Sequence, residues 1–576
     1  MKITGGQRAG NNLFYSFEKF SIPIGSEAIF ENAVDVENIF ALITGGNTSS
    51  LNGILKVQGE ANFFLVNPNG IVFEENARLD VDGSFIATTA SSIQFQDGAE
   101  LIASDLNSAP LSNASFPIGL EFSSSSGSGT ITVNGNGNQI KKDSPLTSIE
   151  FEQTPEGLSV TSSQTLSLVG DGLSFNGGVV STKGGQVHLS SLKSGSVSLK
   201  QTENGLTLRG FAGNEYQDLD FNQQSLIYAD GEQAAIISLT GKNINLLDGS
   251  FVLSQNQGNS EAGLLKLNAT ETLVLSGQIS NVRSNIRSET FKGGKGANID
   301  ISAGKTLLEN GARIRSNSFG DSSGGDIKLE ISDSIQMFNS SIIATTLATG
   351  NAGNINLSTS QLQLNTAGVS SSTFGYGHGG VLRVDADLIE IIGTDSTDRA
   401  SIATTAWATG DAGNLLLNAG QLRVIDGASL SSSSFSHGNA GDLVLNVSQS
   451  IEVKGTGHDG YRTSNNSQSI IRSAVQSVPK RARKALSLPD VPSGDSGNLT
   501  ITAPVLKIIE EGVVSVENQG TGNSGLLSIN VEKLYMREAG SITAANATGK
   551  DGKIALNISD WQIDDSSRIT PEGQNH

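Results

Sequence analysis

The chain has 576 residues, of which 68 are glycine and none cysteine, a formal net charge of -20, and only 16% charged and 5% aromatic residues. The acidic balance argues against nucleic acid and anionic lipid as partners, because a phosphate-binding face needs clustered Lys and Arg, and the lack of cysteine excludes disulfides, zinc-thiolate sites and thiol nucleophiles. Small and neutral polar residues in this proportion suit β-structure with many corners rather than charged helices, and no window reaches the apolar length of a membrane helix, so no transmembrane segment is expected.

Taken from its start, MKITGGQRAG has no apolar h-region and is not a signal peptide. Residues 63–73, FFLVNPNGIVF, place two apolar runs around Asn67-Pro68-Asn69-Gly70. Asn at the first turn position, Pro at the second with its φ preset, and Gly at the fourth predict a tight corner between two buried strands.

From about residue 235 one pattern recurs, as in GNINLSTSQLQLNTAG and GNLLLNAGQLRVIDGAS. Its anchors are Ala235, Gly263, Ala297, Gly325, Gly353, Gly380, Gly413, Gly441, Gly497, Gly525 and Gly552, mostly 27 or 28 residues apart. Apolar residues lie two and four past an anchor (Ile355, Leu357) and again near nine and eleven (Leu362, Leu364), a period of two that predicts strands with one buried face. A further glycine, as at Gly368, Gly427, Gly512 and Gly540, permits a second corner. Each unit reads as two or three short strands. Ordering roughly 28 residues costs on the order of 40 kcal/mol of conformational entropy, so a unit must be covered above and below by its neighbours. The stack that achieves this is an all-β solenoid, a right-handed parallel β-helix with coils of about 28 residues. Between Gly441 and Gly497 the regularity fails, and SIIRSAVQSVPKRARKALSLPDVPSGDSG, with Ile471, Val475 and Val478 at helical spacing, predicts an excursion over 454–496 that exposes Lys480, Arg481, Arg483 and Lys484. The runs SSSS at 123 and 431 read as solvent-facing or stacked hydroxyl ladders.

The first 200 residues carry a more specific signal. AGNNLFYSFEKFSIPIGSEAIF, SSLNGILKVQGEANFFLVNPNGIVF and DVDGSFIATTASSI, followed by FPIGLEF and GLSVTSSQTLSLVGDGLSFNGGVVSTKGGQVHL, resemble in order and spacing the filamentous haemagglutinin N-terminal domain, the two-partner-secretion domain of large adhesin-like exoproteins. The resemblance implies a right-handed β-helix over about residues 1–200, followed by a β-helical shaft over 201–453, the excursion, and further repeats over 497–576. It implies export through an outer-membrane β-barrel transporter with POTRA domains, a secreted, cell-surface, outer-membrane-associated location, and a role for Asn67, Pro68, Asn69 and Gly70 in secretion. Family members carry a signal peptide and several strands ahead of the stretch matching ITGGQRAGNN, so an upstream extension is expected.

The expected function is adhesion or surface scaffolding toward a host-cell, matrix or glycan ligand, with no cofactor. The alternative is a β-helical carbohydrate-active enzyme, a polysaccharide hydrolase or lyase. Glycoside hydrolysis needs two carboxylates facing each other across a cleft, and the sequence offers only His378 in YGHGG, its counterpart His437, and the pair Asp564-Asp565 near the C-terminus. Asp80 and Asp82 share a strand face but lack the further oxygen ligands calcium needs. The five histidines are scattered without metal-ligand spacing. No catalytic or metal residue is assigned.

Overall fold

The computed structural model describes residues 1–105, 115–123, 129–202, 205–211, 213–232, 235–260, 263–393, 400–458, 466–550 and 552–571. It divides into two compact units, Met1–Ile286 and Arg287–His576, and the fold is a right-handed parallel β-helix.

In the N-terminal unit, strands Asn12–Phe17, Asn38–Ile43, Asn62–Val66 and Phe85–Thr88 stack in parallel register, and Phe85–Thr88 also pairs with Thr165–Gly170. Leu13, Ile39, Phe63, Phe85 and Leu166 therefore form one column, and all are buried. The alternate residues Phe14, Phe40, Phe64 and Ile86 point the other way, yet they too are buried. They pack in a second core with Ile93, Phe95, Leu101 and Leu120, which come from an antiparallel sheet of Ser92–Phe95, Glu100–Ile102 and Pro117–Phe122 laid over the coils. Phe14 stacks on Phe40 at 4.9 Å and Phe40 on Phe64 at 4.6 Å. Burial on both faces is why FFLV runs apolar without alternation.

In the C-terminal unit each regular coil is one long bent strand and one short strand. Ile355–Asn365 and Gly368–Thr373 make such a coil, followed by Leu382–Ile392 and Ser401–Ala406, then Leu415–Ile425 and Ser429–Ser434. The two strands foreseen after each anchor are thus a single bent one. Ile327, Ile355, Leu382, Leu415 and Leu443 stand in one column, fully buried.

The anchor glycines have a steric cause. A Cβ at Gly413 would lie 1.9 Å from the carbonyl oxygen of Gly380, one at Gly441 would lie 2.1 Å from that of Gly413, and one at Gly497 would lie 2.3 Å from that of Gly441. The backbones of successive coils touch here, and only a residue without a side chain fits. The second glycines act differently. The left-handed conformation at that corner falls mainly on Asn339, Thr366, Asp426, Glu510 and Glu538, with φ between 43° and 54°, and Gly427 shares it at 85°.

The column also shows that Gly441 to Gly497 is one coil. Ile470–Val475, expected within the excursion and at helical spacing, is instead the coil's short strand, paired in parallel with Ser429–Ser434 and Val513–Asn518. Its central inward residue is Ser473, which hides the strand period. Two insertions leave the coil: a hairpin beginning at Thr456–His458 and ending at Asn466–Gln468, and the segment after Val475 with the short helix Lys480–Leu486. Lys480, Arg481 and Lys484 are exposed, whereas Arg483 is half-buried and reaches Asp490 at 3.5 Å. The serine run at 431 is buried rather than solvent-facing, with Ser432 and Ser434 fully enclosed. The Ser432 hydroxyl accepts the Gly441 N–H at 2.7 Å. Most of the run at 123 lies outside the described residues.

Candidate functional site

The corner at 67–70 joins strand Asn62–Val66 to strand Ile71–Phe73. The Asn67 amide still donates to Thr88 O at 3.0 Å, continuing the ladder, before the chain turns and the Gly70 N–H closes on Asn67 O at 3.1 Å. The Asn67 side chain organises the corner. Its Oδ1 accepts the Asn69 N–H at 3.0 Å, an Asx turn, while its Nδ2 donates to Asn47 O and to Ser49 Oγ, each at 3.0 Å. It has no exposed surface. Gly70, at φ 107°, occupies a backbone region closed to other residues, and a Cβ there would stand 2.9 Å from Thr130 O.

Neighbouring chain clamps the corner on both sides. Asn69 Nδ2 donates to Gly45 O at 2.8 Å and Thr48 Oγ1 donates to Asn69 O at 3.0 Å. On the other side Ile71 N donates to Thr130 O at 3.0 Å, and Gly129 comes so close that a Cβ would lie 2.2 Å from Pro68 O. All four motif residues are therefore brought together in a rigid corner, with Asn67 and Gly70 buried, Pro68 half-buried and Asn69 exposed.

The residues weighed for other chemistry stand apart. His378 Nδ1 accepts the Asp411 N–H at 3.1 Å, and His437 Nδ1 meets Ser493 Oγ at 2.8 Å, so each ring stitches its coil to the next. The Asp564 carboxylate accepts the Glu538 N–H at 2.7 Å, the Ser567 N–H at 3.0 Å and the hydroxyls of Ser566 and Ser567, both at 2.8 Å. These donors hold its pKa down to about 2, which leaves no proton to give near neutrality. Asp80 is paired with Lys56. Among the described residues no group of three or more His, Asp or Glu is placed to hold a metal ion. His188 is buried, with Nε2 3.0 Å from Gln186 Oε1, and loss of hydration lowers its pKa to about 4.

One feature escaped sequence reasoning. The bend in the long strands of the C-terminal unit opens a groove lined by residues five to seven past each anchor. The available signal was the polar residue five past the anchor, namely Asp385, Asn418, Asn446, Thr502, Asn530 and Asn557.

The N-terminal coils are those of a secretion domain. Residues 1–242 match the family model of the TPS secretion domain, which supports a TPS domain of filamentous haemagglutinin type there. The chain is accordingly a secreted exoprotein of two-partner secretion, and the partner that this domain implies is a TpsB transporter. Among solved structures, the HMW1 secretion domain from Haemophilus influenzae is similar over 97% of this chain and 97% of its own, at 13% identity and a TM-score of 0.28. No curated protein matches the chain. No helix among the described residues is long and apolar enough to cross a membrane.

Proposed function

We propose that the protein is an adhesin: its N-terminal coils direct export through an outer-membrane TpsB barrel with POTRA domains, and its C-terminal coils present a binding surface at the cell exterior. The observation that carries this is the TPS domain over residues 1–242 joined to a glycine-anchored stack whose carboxylates are mostly engaged in ladders and ion pairs. An adhesive role, rather than catalysis, is supported by the occupied acceptors of Asp564 and by the placement of His378 and His437 as inter-coil struts.

Within the secretion motif we assign two tasks. Asn67 and Gly70 hold the corner, and Pro68 and Asn69 are the part a transporter can touch, since only they reach the surface. Co-expression with its transporter, followed by measurement of secreted protein and of adhesion to cultured cells, tests the reading. Secreted protein that coats cells supports it. Secreted protein that adheres to no cell, matrix or glycan surface overturns the adhesive part, and cleavage of polysaccharide at enzymatic rates restores the enzyme alternative.

A further inference from the structure

The groove in the C-terminal unit is built from three columns. Thr359, Ala386, Ala419, Val447, Ala503 and Val531 form its floor. On one flank the residue before each floor position projects a polar side chain, and Asp385, Asn418 and Asn446 are linked in sequence: Asn418 Nδ2 donates to Asp385 Oδ1 at 2.6 Å, and Asn446 Nδ2 donates to Asn418 Oδ1 at 3.0 Å. Thr502, Asn530 and Asn557 continue this flank. The opposite rim carries Asp387, Ser448, Glu532 and Ser559. The groove is shallow and open to solvent, spanning about 760 Å³ around Ala419 and about 470 Å³ around Ala503, and the two parts share Val447, Ser448 and Thr502, so it is continuous. Successive coils lie roughly 4.8 Å apart, so the seven coils from Thr359 to Asn557 give a run of roughly 30 Å.

We propose that this groove binds a neutral, linear glycan lying along the stack. The inference rests on the adhesive reading above and gives its ligand a chemical class. First, a carboxamide or hydroxyl lines the groove at every coil except that of Asp385, repeating at roughly the 4.8 Å coil spacing, which is comparable to the advance of one pyranose unit in an extended chain. Each amide retains an N–H or lone pair beyond those used in its ladder, which suits a ligand offering hydroxyls at regular intervals. Second, the floor is small and mostly apolar, which lets the C–H face of a sugar approach the backbone while its hydroxyls reach the flank. Third, the charge selects against acidic chains. No Lys or Arg is among the lining residues, and Asp387 and Glu532 stand on the rim, while the charge of Asp385 is balanced by Arg383 at 2.6 Å. A uronic, sulfated or sialylated chain meets like charge. An extended peptide is the weaker fit along the groove, since its usual capture by strand addition needs a free sheet edge, and the long strands from Leu382–Ile392 to Leu526–Arg537 are paired on both sides.

The test is an array of neutral and acidic glycans probed with the full chain, followed by titration with neutral oligosaccharides of increasing length. The expected result is binding to neutral linear chains alone, with affinity rising up to about six or seven units and then levelling. Asn446→Ala should weaken binding at least tenfold and Ser448→Trp should abolish it. Both residues are exposed, so unchanged circular dichroism and melting are expected for both variants, and Lys507→Ala, outside the groove, should bind as the parent does. Preference for acidic glycans, displacement by extended peptides alone, or undiminished binding by both groove variants would each overturn the proposal. Cell adhesion measured in parallel separates the two readings: a chain that adheres but binds no neutral glycan refutes the groove assignment and leaves the adhesin standing, whereas a chain that binds neutral glycan but no cell does the reverse.

Discussion

Replacing Asn67 by alanine removes four hydrogen bonds from a fully buried position: those to Asn47 O, Ser49 Oγ and the Asn69 N–H, each at 3.0 Å, and a longer one from Asn69 Nδ2 at 3.3 Å. At about 1 kcal/mol net for each of the three shorter bonds, the corner loses about 3 kcal/mol. Asn69→Ala is the matched comparison. Its side chain is exposed and makes one good bond, to Gly45 O at 2.8 Å, which water can replace, so its cost stays under about 1 kcal/mol. A solenoid need not unfold in one step, so the readout should be local. Native-state hydrogen exchange at the amides of Asn67, Gly70 and Ile71 follows opening of this corner, and 3 kcal/mol corresponds to roughly hundredfold faster exchange in the Asn67 variant. Exchange within about threefold of the parent would refute the claim that this side chain holds the corner. Secretion measured on the same pair then separates holding from contact. Loss of export in Asn69→Ala with unaltered exchange would mean that the transporter touches the motif, whereas loss confined to Asn67→Ala would mean that it needs only an intact coil.

Gly441→Ala should destabilise the C-terminal unit by about 2 to 3 kcal/mol, because its Cβ meets backbone at 2.1 Å, whereas Gly368→Ala, whose nearest neighbour would be Ser401 Oγ at 3.7 Å, should stay within about 1 kcal/mol of the parent; chemical denaturation compares them, and equal losses would contradict the close-approach argument. His188 has a folded pKa near 4, below its ordinary value, so the unfolded chain takes up the proton first on acidification; its contribution is intact above about pH 6.5 and declines toward pH 4 by about 3 kcal/mol, and His188→Gln should flatten the stability profile in that window. Limited trypsin digestion should cut first between Lys480 and Lys484, in a short helix whose preceding Pro479 provides no side-chain cap, and a first cut inside a coil strand would contradict this.

The stacking of this protein was legible because its causes are local. A glycine forced by backbone contact at Gly413 or Gly441 leaves a mark at most periods, with Ala235 and Ala297 the exceptions, and the inward columns mark the residues two and four beyond it. The corner at 67–70 was legible for the same reason, since Asn, Pro and Gly each answer a backbone demand. What the sequence hid depends on what lies across from a residue. Ile470–Val475 reads as helix until Ser473 is seen continuing the inward column of Ser432 from the coil beside it. Phe14, Phe40 and Phe64 give no hint of the outer sheet that covers them, because that sheet comes from residues far along the chain. The groove was hidden because Asn418 and Asn446 resemble any exposed strand residue until the bend sets them on one flank.

Two side-chain ladders between coils each keep one direction. In the N-terminal unit Asn38 donates to Asn12, Asn62 donates to Asn38, and the Ser84 N–H donates to Asn62. In the C-terminal unit the Asp442 N–H donates to Asn414, the Asn498 N–H to Asp442 and the Leu526 N–H to Asn498. In each case the later residue gives a hydrogen to an oxygen already fixed by the earlier one. A chain emerging amino end first finds each acceptor waiting in the coil just completed, and the captured segment cannot slip back without breaking that bond. In these two ladders the Asn and Asp side chains thus favour addition of coils in one order, from the amino end onward.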